Sequence, residues 1–82
     1  MKITYFKESD GTPFALESEH GFLVLFNKMK SEWVDAPFDF STLRHDREIR
    51  EIAREEALAL SGGAAPDARL GALVAMVEKN SL

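Results

Sequence analysis

Three clusters of turn-forming residues divide the first half of the chain into short apolar segments. The clusters are Asp10-Gly11, residues 18–21 and residues 27–31. The segments between them combine β-branched and aromatic side chains, and residues 22–26 are apolar throughout. Short apolar segments separated by tight turns are typical of strands joined as hairpins. We therefore predict a three- to four-stranded antiparallel meander over residues 2–35.

The second half of the chain has the composition of helices. One helix is predicted over residues 41–61, where Gly62-Gly63 supplies a left-handed stop. Pro66 and Asp67 then favour a second helix start, because proline fits the first helical turn and an acid there meets the positive end of the helix dipole. This second helix is predicted over residues 66–79. The predicted fold is α+β, with the meander followed by two helices packed on one of its faces.

The first predicted helix is dense in charge. Ser41 or Thr42 is predicted to cap it, because a hydroxyl can accept a hydrogen bond from an orphan backbone N–H group. Its arginines and glutamates are spaced to pair one turn apart on the helix surface. The predicted pairs are Asp46–Arg50, Arg47–Glu51, Arg44–Glu48 and Glu51–Arg54. These pairs either line a solvated face or form a face that contacts a partner.

The same helix contains a conflict of phase. On a continuous helix, Glu56 falls within the apolar face and Leu58 falls on the solvent side. A bend near Ile52, with residues 49–52 extended and a shorter helix from Ala53, removes Glu56 from the apolar face. The bend is favoured, and the continuous helix is the alternative, in which Glu56 needs a partner.

Size and charge narrow the classes of function. The chain has 82 residues, enough for one domain over residues 1–82, with 45% apolar residues and a net charge of −4. Negative charge opposes the counterion release that drives binding to nucleic acid, so direct nucleic-acid binding is not expected. The sequence contains no cysteine, no signal-peptide pattern and no run long enough for a membrane span, which favours a cytoplasmic protein.

No catalytic, metal-binding or cofactor-binding residue is predicted. Ser41, His45 and Asp46 are the residue types of a hydrolytic triad, but their close spacing on one helix start points them in different directions. His45 with Glu48 offers only two ligands, and closed zinc sites usually have four. Gly62-Gly63 lacks the lysine and hydroxyl residue of a phosphate-binding loop. The sequence therefore predicts a protein that is not an enzyme and needs no cofactor.

These exclusions favour a non-enzymatic macromolecule-binding protein. One concrete form is a small acidic inhibitor or regulator of phage or mobile-element type, such as an anti-CRISPR that occupies a basic nucleic-acid-binding surface. Trp33 is either a lid on the core or a contact with a partner. The candidate partner-binding residues are Glu17, Glu19, Trp33, Glu48, Glu51 and Glu55.

The last helix supports an alternative function. Small residues lie together on the side opposite its core-facing stripe, where another backbone can approach closely. Either the rest of the domain packs there, or the face is a helix–helix or homodimer seam of a self-associating structural or accessory subunit. The residues of this predicted seam are Ala68, Gly71, Ala72 and Ala75.

Overall fold

The structure, a computed structural model, describes residues 1–80 and has the predicted α+β architecture. The last two residues of the predicted domain lie outside this range. The elements are β1 (Ile3–Glu8), β2 (Pro13–Glu17), β3 (Phe22–Asn27), β4 (Glu32–Asp35), α1 (Phe40–Asp46), β5 (Ile49–Ile52), α2 (Arg54–Leu60) and α3 (Asp67–Asn80).

One antiparallel sheet contains all five strands, in the order β4-β3-β2-β1-β5. Strands β1 to β4 form the predicted meander, so that part of the fold prediction is confirmed. The fifth strand was not part of the predicted meander. It pairs with β1, in a register that sets Tyr5 opposite Ile52 and Glu8 opposite Ile49.

The turns form where their sequences predict them. In the β1–β2 turn, the Asp10 carboxylate accepts a hydrogen bond from the backbone N–H of Thr12 at 2.9 Å. Gly11 follows with a φ of 91°, a left-handed conformation that glycine adopts without the clash of a Cβ atom. This local chemistry fixes the hairpin register and with it the face to which each side chain points.

Helices cover both faces of the sheet, which corrects the prediction of helices on one face. On the first face, α2 and α3 contribute Ala57 and Leu70 to a core cluster with Tyr5, Val24 and Trp33 among others. On the opposite face, α1 contributes Leu43 to a second cluster. That cluster also contains Phe14 and Leu23, with Phe6, Phe40 and Ile49 packed around it. The chain therefore builds two small cores, one on each side of the sheet.

The favoured break near Ile52 is confirmed, and the continuous helix over residues 41–61 is wrong. Residues 49–52 form strand β5, which separates α1 from a shorter helix α2 that begins at Arg54. Asp39, not Ser41 or Thr42, caps α1, because its carboxylate accepts from the Thr42 backbone N–H at 2.8 Å. Helix α2 ends at Leu60 before Gly62-Gly63, where the predicted stop lies.

The intrahelical charge pairs predicted for this segment are also absent from residues 1–80. The arginines instead bind acids on other elements: Arg47 binds Glu8 at 2.8 Å and Arg54 binds Asp67 at 3.0 Å. Both contacts join separate elements of the fold rather than adjacent turns of one helix. They attach the start of β5 and the start of α2 to the rest of the domain.

Glu56 forms an ion pair within the domain rather than pointing freely into solvent. Its carboxylate lies 2.7 Å from the Lys7 ammonium group on β1, and the glutamate is half-buried. The hydrogen bond from Lys7 holds the pKa of Glu56 below its ordinary value. The phase conflict in the sequence therefore marks both the break in the helix and an ion pair between α2 and the sheet.

Helix α2 begins without a side-chain cap, which leads to a testable prediction. Ala53 occupies the N-cap position with extended backbone angles (φ −75°, ψ 157°) and makes no capping hydrogen bond. Ala53→Ser supplies a hydroxyl acceptor for the first turn and is expected to raise the free energy of unfolding by about 1 kcal/mol. Urea denaturation measures the change. Ala59→Ser, at an exposed position inside α2, is the control, and an equal gain there would contradict the capping explanation.

Candidate functional site

The candidate site is the outer side of strand β5, which we call the β5 edge and define as residues 47–55. Within residues 1–80, β5 pairs only with β1, so its other side is an open edge of the sheet. The backbone N–H of Ser9 donates to the carbonyl of Glu48 at 3.1 Å, so the Glu48 carbonyl points to the β1 side of the strand. Because hydrogen-bonded pairs alternate in an antiparallel ladder, the backbone groups of Ile49 and Glu51 point toward the open edge.

The side chains of β5 divide between the two faces of the sheet. Ile49 packs with the α1 core and Ile52 packs with the α2–α3 core, so the two isoleucines hold the strand in place. Arg50 and Glu51, between them, are exposed. The strand therefore combines two half-buried apolar anchors with two charges available to a partner.

Carboxylates without ion pairs are concentrated at this edge. Arg47 is engaged by Glu8, and its guanidinium also lies 5.2 Å from the centre of the Phe38 ring. Arg54 is engaged by Asp67 and also donates to the hydroxyl of Tyr5. The exposed acids in and beside the β5 edge that form no ion pair with residues 1–80 are Asp46, Glu48, Glu51 and Glu55.

A shallow cleft accompanies the edge on the α1 side of the sheet. Its apolar lining includes Phe6, Phe40 and Ile49, and the two aromatic rings lie 4.9 Å apart between centroids. Arg44 and Glu51 are among its charged lining residues. Apolar surface beside exposed charge and open backbone groups is suited to an extended chain that adds to the sheet.

Three of the predicted contact residues belong to this surface, the structure corrects Glu17, and the role of Glu19 stays a prediction. Glu48, Glu51 and Glu55 are exposed along the β5 edge. Glu17 is fully buried, so it is not available to a partner. Glu19 is exposed, but it lies in the β2–β3 turn, away from β5 in the strand order.

Trp33 is a core residue, which corrects its inclusion among the candidate contacts. Only 7% of its surface is exposed, and its ring packs edge-on against Phe26 with centroids 5.7 Å apart. Its indole N–H donates to the backbone carbonyl of Ala64 at 2.8 Å. The side chain thus joins β4 to the loop before α3.

The Glu17 carboxylate organises the turn that follows it. It accepts from the backbone N–H of Glu19 at 2.7 Å and of His20 at 3.0 Å, and the His20 Nδ1 atom lies at 3.1 Å. Burial raises the pKa of Glu17, but the two backbone N–H donors and the His20 ring together leave that pKa below its ordinary value. The carboxylate therefore has a structural task inside the domain.

Glu17, Glu19 and His20 are also the group of side chains that a metal ion could reach. One ligand atom from each lies within 4.8 Å of the others. Three protein ligands are one fewer than a closed zinc site needs, and both Glu17 oxygens already accept hydrogen bonds from the turn. The donor set is thus better suited to holding the turn than to holding a cation.

The chemistry considered at the start of α1 has no assembled geometry. Ser41 and His45 line one shallow cleft, with Phe40 and Arg44. No hydrogen bond joins the Ser41 hydroxyl to the His45 ring in the described part of the chain. The absence of a catalytic role therefore stays a prediction.

The outer side of α3 is accessible. Ala68, Ala72 and Ala75 are exposed and Gly71 is half-buried. A Cβ atom placed on Gly71 would lie more than 4 Å from every neighbouring atom outside its own helix in the described chain. Nothing within residues 1–80 therefore packs closely against this side at Gly71, and the predicted seam stays a prediction.

The sequence could have located the edge more directly. Ile49 and Ile52 flank two charges in a pattern that fits a short strand with anchors on alternate faces, but the charge spacing favoured a helix.

No helix within residues 1–80 has the length and apolar character of a membrane-spanning segment. Comparison of the chain with protein-family models, with curated protein sequences and with solved structures finds no match.

Proposed function

We propose that this protein is a non-enzymatic binding protein that uses the β5 edge to occupy a basic surface of another protein. The observation that carries the proposal is the set of exposed carboxylates, free of ion pairs within residues 1–80, in and beside an open edge strand. Each carboxylate is an acceptor for the guanidinium and ammonium groups of a partner. The open backbone groups of Ile49 and Glu51 add hydrogen bonds that depend on strand geometry rather than on charge.

The overall charge supports the same class of partner. A net charge of −4 speeds association with a basic surface and opposes association with nucleic acid. Basic surfaces of that kind are typical of proteins that themselves bind DNA or RNA. In its most specific form, the proposal is a small inhibitor or regulator of phage or mobile-element type, with an anti-CRISPR protein as the example.

Neutralising the edge carboxylates is expected to weaken partner capture strongly. The edge variant Glu48→Gln/Glu51→Gln/Glu55→Gln is compared with Glu19→Gln/Glu32→Gln/Glu78→Gln, which has the same net charge and keeps the edge. Each immobilised protein is exposed to extract from its native host, and retained proteins are quantified by mass spectrometry. We expect a basic protein that wild type and the control variant retain, and that the edge variant retains about tenfold less.

Two results would count against the proposal. Equal loss with both variants would show that total charge, not the β5 edge, determines capture. Retention of the same proteins by all three chains would show that these carboxylates do not contact the partner. Circular dichroism of each variant checks that the fold is intact before either conclusion is drawn.

The alternative is a self-associating structural or accessory subunit, and the exposed side of α3 favours it. Met76, whose exposed fraction is 61%, extends the surface formed by Ala68, Ala72 and Ala75. Apolar side chains grouped on the outside of a helix are a common feature of helix–helix contacts. Light scattering that gives the mass of one chain at every concentration would exclude this alternative.

A further inference from the structure

The β5 edge has a second potential occupant, which is another copy of this chain. An unpaired edge strand offers its backbone hydrogen-bonding groups to any strand that can lie beside it. Here the groups of Ile49 and Glu51 are available, and the strand carries charges of both signs. Whether two such edges fit each other depends on which side chains the pairing sets opposite one another.

Symmetry limits the pairings to a small set. A twofold axis normal to the sheet places the two β5 strands antiparallel and keeps each face of the sheet continuous. Directly opposite residues then point to the same face of the sheet. An even-numbered residue is therefore opposite an even-numbered residue of the second copy, and an odd-numbered residue is opposite an odd-numbered one. Each allowed register is named by the residue that meets its own copy at the axis.

Most of these registers set like charges against each other. With the axis at Glu48, Arg50 or Glu51, that residue faces the same charge on the second copy. With the axis at Ile52, Arg50 faces Arg54 of the second copy. Like charges directly opposite one another destabilise a strand pair.

The register centred on Ile49 is complementary at every position from residue 47 to residue 51. Ile49 then meets Ile49 of the second copy. Glu48 faces Arg50 of the second copy, and Arg47 faces Glu51 of the second copy. The twofold axis repeats both charge pairs, so four pairs of opposite charge flank one apolar pair.

The local structure is compatible with this register. Arg47 and Ala53, on either side of the strand, both have extended backbone angles, so the edge continues beyond the hydrogen-bonded strand. The open backbone groups of Ile49 would face each other across the axis as a hydrogen-bonded pair. Arg47 is about half exposed, and its guanidinium has donors beyond the one that Glu8 occupies.

We propose that two copies of this chain pair antiparallel along β5, with Ile49 at the twofold axis, and so join their sheets into one. The pairing itself does not depend on the proposed function. Its consequence does: Glu48 and Glu51 are engaged by the arginines of the second copy, so self-pairing competes with binding of a basic partner. Because the pairing involves few residues, the dimer is expected to be weak and to form only at high protein concentration. Its association is also expected to weaken as the salt concentration rises.

A charge swap tests the register. Glu48→Arg alone and Arg50→Glu alone each set like charges opposite in two symmetric places. Either is expected to weaken self-association by about tenfold. The double variant Glu48→Arg/Arg50→Glu has the composition and net charge of the wild type and restores both pairs. Sedimentation equilibrium at rising concentration measures each constant, and circular dichroism confirms the fold.

Cysteine crosslinking gives an independent readout, because the sequence contains no other cysteine. Across the proposed axis, the Cα atoms of residue 49 are expected at about 5.5 Å, within the range that a disulfide spans. Those of residue 51 are expected about 14 Å apart, beyond that range. Ile49→Cys is therefore expected to form a covalent dimer under mild oxidation, and Glu51→Cys is expected not to.

Each outcome bears on the proposal. Recovery of self-association in the double variant, with crosslinking at residue 49 alone, supports it. A monomer at millimolar concentration, a double variant as weak as the single ones, or equal crosslinking at residue 51 overturns it. Failure here leaves capture of a basic partner intact. A dimer that captures no partner would instead overturn the proposed function. The pairing along β5 would then stand, and only its competition with a basic partner would be lost.

Discussion

Trp33→Ala is expected to lower the free energy of unfolding by about 4 kcal/mol, which is a large fraction of the stability of so small a domain. The indole ring is buried between β4 and the segment before α3, and its removal leaves a cavity beside Phe26. It also removes the hydrogen bond to the Ala64 carbonyl. Both losses fall on the contact that holds α3 near the sheet.

One further variant separates the loss of packing from the loss of the hydrogen bond, and a second is the control. Trp33→Phe keeps an aromatic ring but has no N–H donor, and it is expected to cost about 2 kcal/mol. The Ala64 carbonyl is not orphaned by this change, because the Ser61 hydroxyl also donates to it at 2.7 Å. Met29→Ala, at a side chain that is 98% exposed, is the control and is expected to change stability by less than about 0.5 kcal/mol.

Urea denaturation followed by far-ultraviolet circular dichroism measures all three, since the alanine and phenylalanine variants lack the tryptophan fluorophore. A typical surface substitution changes the free energy of unfolding by less than about 1 kcal/mol. A change that small in Trp33→Ala would contradict the assignment of Trp33 to the core. It would also return Trp33 to consideration as a contact with a partner.

The meander could be predicted because its determinants are local. Asp10 and Gly11 form their turn through a hydrogen bond two residues long and a left-handed backbone angle. The apolar segments on either side then need only pair with their neighbours along the chain. No distant contact is required to decide the register.

Strand β5 could not be predicted with the same security, because its structure depends on a partner far away in sequence. Residues with high helical propensity surround Ile49 and Ile52, so local propensity alone favours a helix, and the favoured break near Ile52 was predicted without its pairing partner. Pairing with β1, and the packing of one half-buried isoleucine on each face, override that preference. The sequence did carry a trace of the conflict in the positions of Glu56 and Leu58.

The candidate contacts failed where charge alone was used to infer exposure. Glu17 follows Pro13 and Ala15 on one face of β2, and both of those residues are buried. Alternation along a strand places Glu17 on the same inward face, so its burial could have been inferred once the strand was assigned. The N–H donors of the turn, which make that burial tolerable, could not be read from composition.

Glu17→Gln is expected to lower the free energy of unfolding by about 2 kcal/mol at neutral pH. The carboxylate accepts from the backbone of Glu19 and His20 and from the His20 ring. Glutamine is neutral and replaces one acceptor oxygen by a donor, which faces another donor in this turn. Glu19→Gln, at an exposed neighbour, is the control and is expected to be nearly neutral.

The cost of Glu17→Gln is also expected to shrink in acid, and the sign follows from the direction of the pKa shift. The pKa of Glu17 is lower in the folded chain than in the unfolded chain, where it has its ordinary value of about 4.3. The charged carboxylate therefore stabilises the fold above that ordinary value, and the contribution is lost as pH falls through the lower, folded value. Protonated glutamate and glutamine offer the turn similar groups, so wild type and variant should converge. Urea denaturation at a series of pH values from neutral down to about 3 measures the difference. A difference that stays constant across this range would show that the shape of the side chain, rather than its charge, holds the turn.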